Sequence, residues 1–129
     1  MDINNKMFGG LIQLTAQALD VRSERQNLIQ SNIANLETPG YKVQELPFAK
    51  VMEGIMAQKG NLARTHPVHI GVDTAERGRL MEYRKENRPP DLDAEMLKLS
   101  ENQLMYEIGA KIMAKKFEGL KYAIDEGGR

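Results

Sequence analysis

All five prolines of this chain, Pro39, Pro47, Pro67, Pro89 and Pro90, fall between residues 39 and 90. Proline lacks a backbone donor and clashes with the preceding turn, so no long helix runs through such a stretch. The clustering leaves two proline-free ends, each long enough for one extended helix, around a broken middle. With 129 residues the chain has the mass of one domain, or of one domain with appendages.

The first end, roughly Ile3 to Asn35, reads as one helix. Met7, Leu11, Leu14, Ala18, Val21, Arg25, Leu28, Asn32 and Asn35 alternate spacings of four and three, a heptad seam. Ile12, Leu19, Ile29 and Ile33 widen its apolar face beyond a two-stranded stripe. Thr38-Pro39-Gly40-Tyr41 ends it, because Pro39 pushes Thr38 out of the α region and Pro-Gly suits the centre of a type II turn. The other end keeps the same spacing through Leu92, Met96, Leu99, Gln103, Tyr106, Ala110, Met113, Phe117, Leu120 and Ile124. Pro89-Pro90 blocks helix upstream, Asp91, Asp93 and Glu95 complement the positive N-terminal dipole, and Gly127-Gly128 stops the run. With Asp93 as N-cap, Leu92 and Leu97 form a hydrophobic staple. Each helix should be roughly 50 Å long.

Between them, Pro47, Phe48, Val51, Met52, Ile55 and Met56 predict a short amphipathic helix with Pro47 in its first turn. Val68, Ile70 and Val72 alternate as a short strand, Leu80 to Tyr83 make a possible second, and Arg84 to Asp91 read as an exposed connector. The expected fold is mainly α: two long terminal helices forming an antiparallel coiled-coil hairpin, with a small irregular middle segment. The division is residues 1–38 and 92–126 for the two core helices and 39–91 for the middle. Both helices carry apolar faces wider than one seam, which calls for further helices from other chains.

Matching small residues against large ones predicts the pairing. It sets Leu11 opposite Leu120, Leu14 opposite Phe117, Ala18 opposite Met113, Val21 opposite Ala110, and Arg25 over Tyr106 as a cation–π contact. The pairing interface then comprises Leu11, Leu14, Ala18, Val21 and Leu28 with Met96, Leu99, Tyr106, Ala110, Met113, Phe117 and Leu120.

Little in the sequence points to chemistry. Lys+Arg and Asp+Glu cancel at 18 each and stay balanced along the chain, so the basic excess of a nucleic-acid binder is missing. No Cys is present, which excludes disulfides and thiolate metal sites. No apolar run approaches a membrane span, and the first residues lack a signal-peptide core, so a chain soluble at synthesis and without a cleaved export signal is expected. His66 and His69 sit in a proline-containing loop with no carboxylate nearer than Asp73, and read as surface residues. Ser23, Ser31 and Ser100 lie in helical text without a nucleophile elbow, and Gly9-Gly10 lacks the spacing of a phosphate loop. Met96, Met105 and Met113 read as packing residues and Lys115-Lys116 as a solvated helix face. No catalytic residue, cofactor or metal is expected.

One stretch resists a bland reading. Asn32 and Asn35, three apart on a face that should be apolar, point to a hydrogen-bonded layer fixing either register or the exit turn. They belong to Ser31-Asn32-Ile33-Ala34-Asn35 followed by Thr38-Pro39-Gly40-Tyr41. This string resembles the N-terminal signature of bacterial flagellar rod and hook proteins, with Gln30 standing where the family usually has a small residue. Asp91-Leu92-Asp93-Ala94-Glu95-Met96, Glu101 to Tyr106 and Lys116 to Lys121 resemble the B-type branch of the proximal rod proteins. The likeness covers residues 1–45 and 90–125 most strongly.

The resemblance implies a structural, non-enzymatic subunit of the proximal rod in the flagellar basal body, the base of the drive shaft crossing the periplasm. It implies partners as well: copies of itself, other rod subunits, the adaptor joining rod to inner-membrane ring, and the type III export gate, with neither nucleic acid nor a direct membrane span. Family subunits also carry a Phe followed four residues later by an apolar residue, read by the export gate; Phe8 and Ile12 match it. The competing reading is a soluble helical-hairpin adaptor or type III export chaperone. A small metal enzyme built on His66 and His69 fails on ligand number.

Overall fold

The computed structural model describes residues 2–62 and 84–128. In chain order these form α1 (Asp2–Ala34), β1 (Gln44–Glu45), α2 (Phe48–Leu62), β2 (Arg84–Lys85) and α3 (Leu92–Gly127). The fold is mainly helical, with long terminal helices packed on each other and a short helix and two-stranded sheet between them. Asn32, near the end of α1, bonds Glu95 near the start of α3, while Leu19 lies against Gly109 farther along. The two helices therefore run antiparallel.

The core is built on α1. Val21 and Leu28 are buried with Leu46, Val51, Met52 and Ile55, and Leu14, Ala18 and Phe48 pack around them. Each such aliphatic side chain contributes about 1.5–3 kcal/mol when taken out of water. The cluster thus joins α1 to α2 and to the segment leading into it. Helix α3 adds no apolar member; its fully buried residues are Glu95 and Asn102.

Local signals explain where the elements begin and end. Tyr41 N–H donates to the Thr38 carbonyl at 3.2 Å and Gly40 has φ +74°, so Pro39-Gly40 is the centre of the expected type II turn. The Pro47 carbonyl accepts from Val51 N–H, placing Pro47 just outside α2 rather than in its first turn. The N-cap of α3 is Asp91, whose carboxylate accepts from Asp93 N–H, and not Asp93 itself. Leu92 and Leu97 are consequently exposed instead of stapled. At the far end Gly128 N–H returns to the Ile124 carbonyl.

The middle segment departs from expectation. β1 and β2 pair antiparallel, Gln44 with Lys85 and Glu45 with Arg84, and the ladder extends through Glu86 N–H to the Val43 carbonyl and Val43 N–H to the Arg88 carbonyl. Half of the expected connector is therefore held by main-chain bonds, which a polar side-chain pattern does not advertise. The strands expected at Val68–Val72 and Leu80–Tyr83, and both histidines, lie outside the described residues.

The register also differs from the expected one. Asn32 with Glu95, Gln26 with Asn102 and Leu19 with Gly109 place α3 about one turn away from the alignment that set Val21 against Ala110. Arg25 is bound to Glu45 and not to Tyr106, and the cation–π contact is Arg22 over Phe48, 3.8 Å from the ring centroid. Buried polar bonds and one close approach, rather than matched apolar sizes, set the pairing.

Candidate functional site

The expected polar layer is centred on Asn32, which is fully buried. Its amide nitrogen donates to the Gln44 carbonyl at 2.8 Å and to Glu95 Oε2 at 3.0 Å. Its oxygen accepts from Gln44 N–H at 3.0 Å and from the Tyr41 hydroxyl at 3.1 Å. All four bonds that a carboxamide can make are made. Successive residues of a strand send their N–H and C=O groups to opposite sides. Val43 faces β2, so both main-chain groups of Gln44 face α1, where the Asn32 side chain stands in for a third strand.

The layer continues as a chain of charges. Glu95, fully buried, is also 3.3 Å from Lys98 Nζ; Lys98 reaches Glu45 Oε2 at 2.8 Å, and Glu45 Oε1 accepts from Arg25 Nε at 2.9 Å. Two acids and two bases cancel. Burial alone would raise the Glu45 carboxyl, but the bond from Lys98 and the charge of Arg25 outweigh it and hold the group below its ordinary range. Burial likewise works against charge on Lys98, and its bond to Glu45 wins, raising the ammonium pKa. Arg22 is shifted down, first by burial and then by Arg25.

Asn35 acts locally. Its amide donates to the Ser31 carbonyl at 2.8 Å, its main-chain carbonyl accepts from Thr38 N–H, and its side-chain oxygen accepts from the Thr38 hydroxyl. Ser31 Oγ lies 3.3 Å from the Tyr41 hydroxyl. Ser31, Asn32, Asn35, Thr38 and Tyr41 thus form one bonded unit around the turn. Ile33 is half-buried beside it, while Ala34, Pro39 and Gly40 are exposed.

A second feature is the uncovered side of α3. Leu97, Leu104 and Ile108 are exposed on the side away from Glu95 and Asn102, Leu97 at 62% and Leu104 at 59%, and Ile112 is exposed on the flank. Of the residues expected in the helix pairing, Val21 and Leu28 are in the core and Leu14 and Ala18 pack on it. Leu99, Ala110, Met113 and Leu120 are half-buried, whereas Leu11, Met96, Tyr106 and Phe117 are exposed, Phe117 at 53%. Ile12 is half-buried, and the Phe8 side chain lies outside the described residues.

Sequence reasoning missed Glu95, Lys98 and Asn102 from α3, and Glu45 from the loop, as members of the site. Glu95 reads as an N-terminal dipole residue, and nothing in its type announces burial. A signal was present: Glu95, Asn102 and Gly109 recur at seven-residue intervals, a non-apolar line parallel to the apolar heptad.

Among the described residues no group of three or more His, Asp or Glu side chains is arranged to hold a metal, and no helix is long and apolar enough to cross a membrane. The arrangement positions helices and presents apolar surface.

Comparison with known proteins agrees in kind. A family described as flagella basal body rod protein matches residues 12–42, which include the Asn32 and Asn35 unit. The chain is 33% identical over 128 residues to the flagellar basal body rod protein FlgB of Aeromonas hydrophila, covering 93% of both chains. Its likeness to the Bacillus subtilis protein of the same name is 28% over 127 residues, covering 94% of this chain and 98% of that one. For the Escherichia coli K12 protein it is 27% over 134 residues, covering 90% and 94%.

Proposed function

This chain belongs to the flagellar basal body rod proteins of the FlgB type, and from that premise we propose that it is a non-enzymatic subunit of the proximal rod. In this reading the structural subunit of the basal-body rod works by shape and stiffness rather than by turnover. The observation that carries the mechanism is the apolar surface of α3, which includes Leu104, Ile108, Ile112 and Tyr122 in solvent. A monomeric protein rarely exposes so extended an apolar strip, and partner helices are what such strips bury against. Copies of this chain and other rod subunits would supply those helices. The adaptor between rod and inner-membrane ring would meet one end of the assembly.

In this reading the subunit lies in the periplasmic part of the basal body and leaves the cell through the type III apparatus without a cleaved signal peptide. Phe8 and Ile12, four residues apart on α1, would be read by the export gate before the helix packs. Phe8→Ala should then reduce secretion into the medium of a rod-deficient strain more than Leu14→Ala does; equal secretion would remove this role.

The test of the rod reading is electron microscopy of basal bodies from a strain whose only copy carries a small tag at Asn87, an exposed position between β2 and α3. Label at the membrane-proximal end of the rod is the expected result. Label confined to the cytoplasm, or basal bodies complete without the protein, would instead favour the adaptor or chaperone.

A further inference from the structure

We propose that Glu95 and Asn102, seven residues apart on α3, are two register pins, and that Gly109, seven further on, makes the third mark of the same ruler. Each meets a different partner on α1. Glu95 accepts from Asn32; Asn102, 1% exposed, donates to the Arg22 carbonyl at 2.8 Å and to Gln26 Oε1 at 3.0 Å. At Gly109 an added Cβ would stand 3.0 Å from the Leu19 side chain, so the helices approach there as closely as a missing side chain permits.

The need for pins follows from the apolar pattern. Leu99, Tyr106, Met113 and Leu120 recur every seven residues beside Glu95, Asn102 and Gly109, so sliding α3 by one heptad presents nearly the same apolar residues to α1. Hydrophobic burial is non-directional and hardly distinguishes these alignments. The polar residues do. A slip that brings Asn102 level with Asn32 carries Glu95 past Ala34, the last residue of α1, and away from its donor. A slip the other way moves Asn102 from Arg22 and Gln26 to Thr15 and Leu19, so that it loses its side-chain partner and puts a Cβ where glycine now sits against Leu19.

One detail marks specificity rather than stability. Asn102 Oδ1 is buried and has no hydrogen-bond partner among the described residues. An amide kept in a buried seam with one acceptor unmet costs stability, as does the single buried Asn that sets register in other coiled coils. What it returns is the penalty it imposes on every wrong alignment. The alternative is a tether: β2 is bound to β1 only a few residues before α3 begins and limits sliding by itself.

The experiment separates pin from tether in the full-length chain, which has no cysteine of its own. Spin labels go on Gln30→Cys in α1 and Lys111→Cys in α3, both exposed and offset along the axis. A heptad slip moves one label about 10 Å along the pair. A short Gly-Ser insertion between Pro89 and Pro90 loosens the tether. Pulsed dipolar spectroscopy should give one distance for the parent and for the insertion alone. The insertion combined with Glu95→Leu and Asn102→Leu should add a second population displaced by several ångströms. Asn102→Leu alone should keep one distance and melt no lower than the parent, which also controls for loss of fold. The proposal fails if the insertion alone shifts the distance, if the combined variant keeps a single one, if Asn102→Leu melts lower, or if the parent shows no defined distance.

Discussion

The two ends of α3 invert the ordinary placement of residues. Its first third buries a carboxylate and an amide, Glu95 and Asn102, while the remainder keeps Leu104, Ile108, Ile112, Phe117, Tyr122 and Ile124 largely in solvent. At the buried end every partner comes from within the chain: the exit turn, β1 and the last turns of α1. Along the exposed stretch the described residues offer apolar area and too few partners to cover it. The polar layer at one end is finished by folding, while the apolar strip, which already begins at Leu97, awaits assembly.

The strongest way to break the finished end is Asn32→Leu. It removes four hydrogen bonds at once and leaves Glu95 Oε2 and both main-chain groups of Gln44 without the partner they have in Asn32. Each buried polar group left without its bond costs roughly 1–3 kcal/mol, which the apolar area gained offsets only in part. Urea unfolding of the purified chain should show that loss, with amide exchange accelerated first at Gln44. A stability equal to the parent would mean that the layer is not closed.

Acidity tests the same end more gently. The folded pKa of Glu45 lies below its ordinary 4.5, so its contribution is complete above that value and is lost as pH falls through the folded one. Lys98 lies above its ordinary 10.5, so its contribution is complete below that value and is lost as pH rises through the folded one. Stability should therefore hold between about these limits and decline on both sides. Glu45→Gln should flatten the acid limb of melting temperature against pH; an unchanged limb would assign it to other carboxylates.

Next comes Gly40→Ala. Nothing lies within 4 Å of the added carbon, so the change tests backbone alone at φ +74°. A left-handed conformation costs an L-residue about 1–2 kcal/mol, and unfolding by denaturant should register that much. A smaller loss would mean that the turn relaxes and that Asn32 does not depend on its exact path.

How much of this was legible in the sequence differs between the same two ends. The long helices, the turn at Pro39-Gly40 and a polar layer at Asn32 follow from periodicity, proline placement and one misplaced residue type. The partner of Asn32 does not, because a carboxylate in the first turn of a helix has a sufficient reason to be there at the dipole. The cleanest apolar heptad was also misleading. Leu99, Ala110 and Met113 lie beside the α1 contact, but Met96 and Phe117 are exposed, and Tyr106 lines an open cleft with Arg22, Ser23 and Gln26 of α1. A heptad announces that a helix will pair, not which neighbour it pairs with. The strands were illegible for a simpler reason: two-residue ladders rest on main-chain bonds and leave no side-chain period.

The smallest expected effect on the folded chain is the most telling about its purpose. Leu104 and Ile108 are four residues apart on the uncovered side of α3, at 59% and 43% exposure. Replacing them as Leu104→Glu with Ile108→Lys removes an apolar strip and installs an acid four residues before a base. That order supports a helix by about 0.3–0.5 kcal/mol. Surface changes of this kind stay within about 0.5 kcal/mol. The isolated chain should thus unfold at the same urea concentration as the parent or slightly above it. Assembly should behave oppositely, since the neighbour's apolar face would have to desolvate two charges to dock. Cells carrying only this variant should secrete the subunit, build no rod and fail to swim in soft agar. Swimming at the parental rate would mean that this side of α3 faces solvent in the rod as well, and the covering helices would then have to lie along Met96, Tyr106 and Phe117 instead.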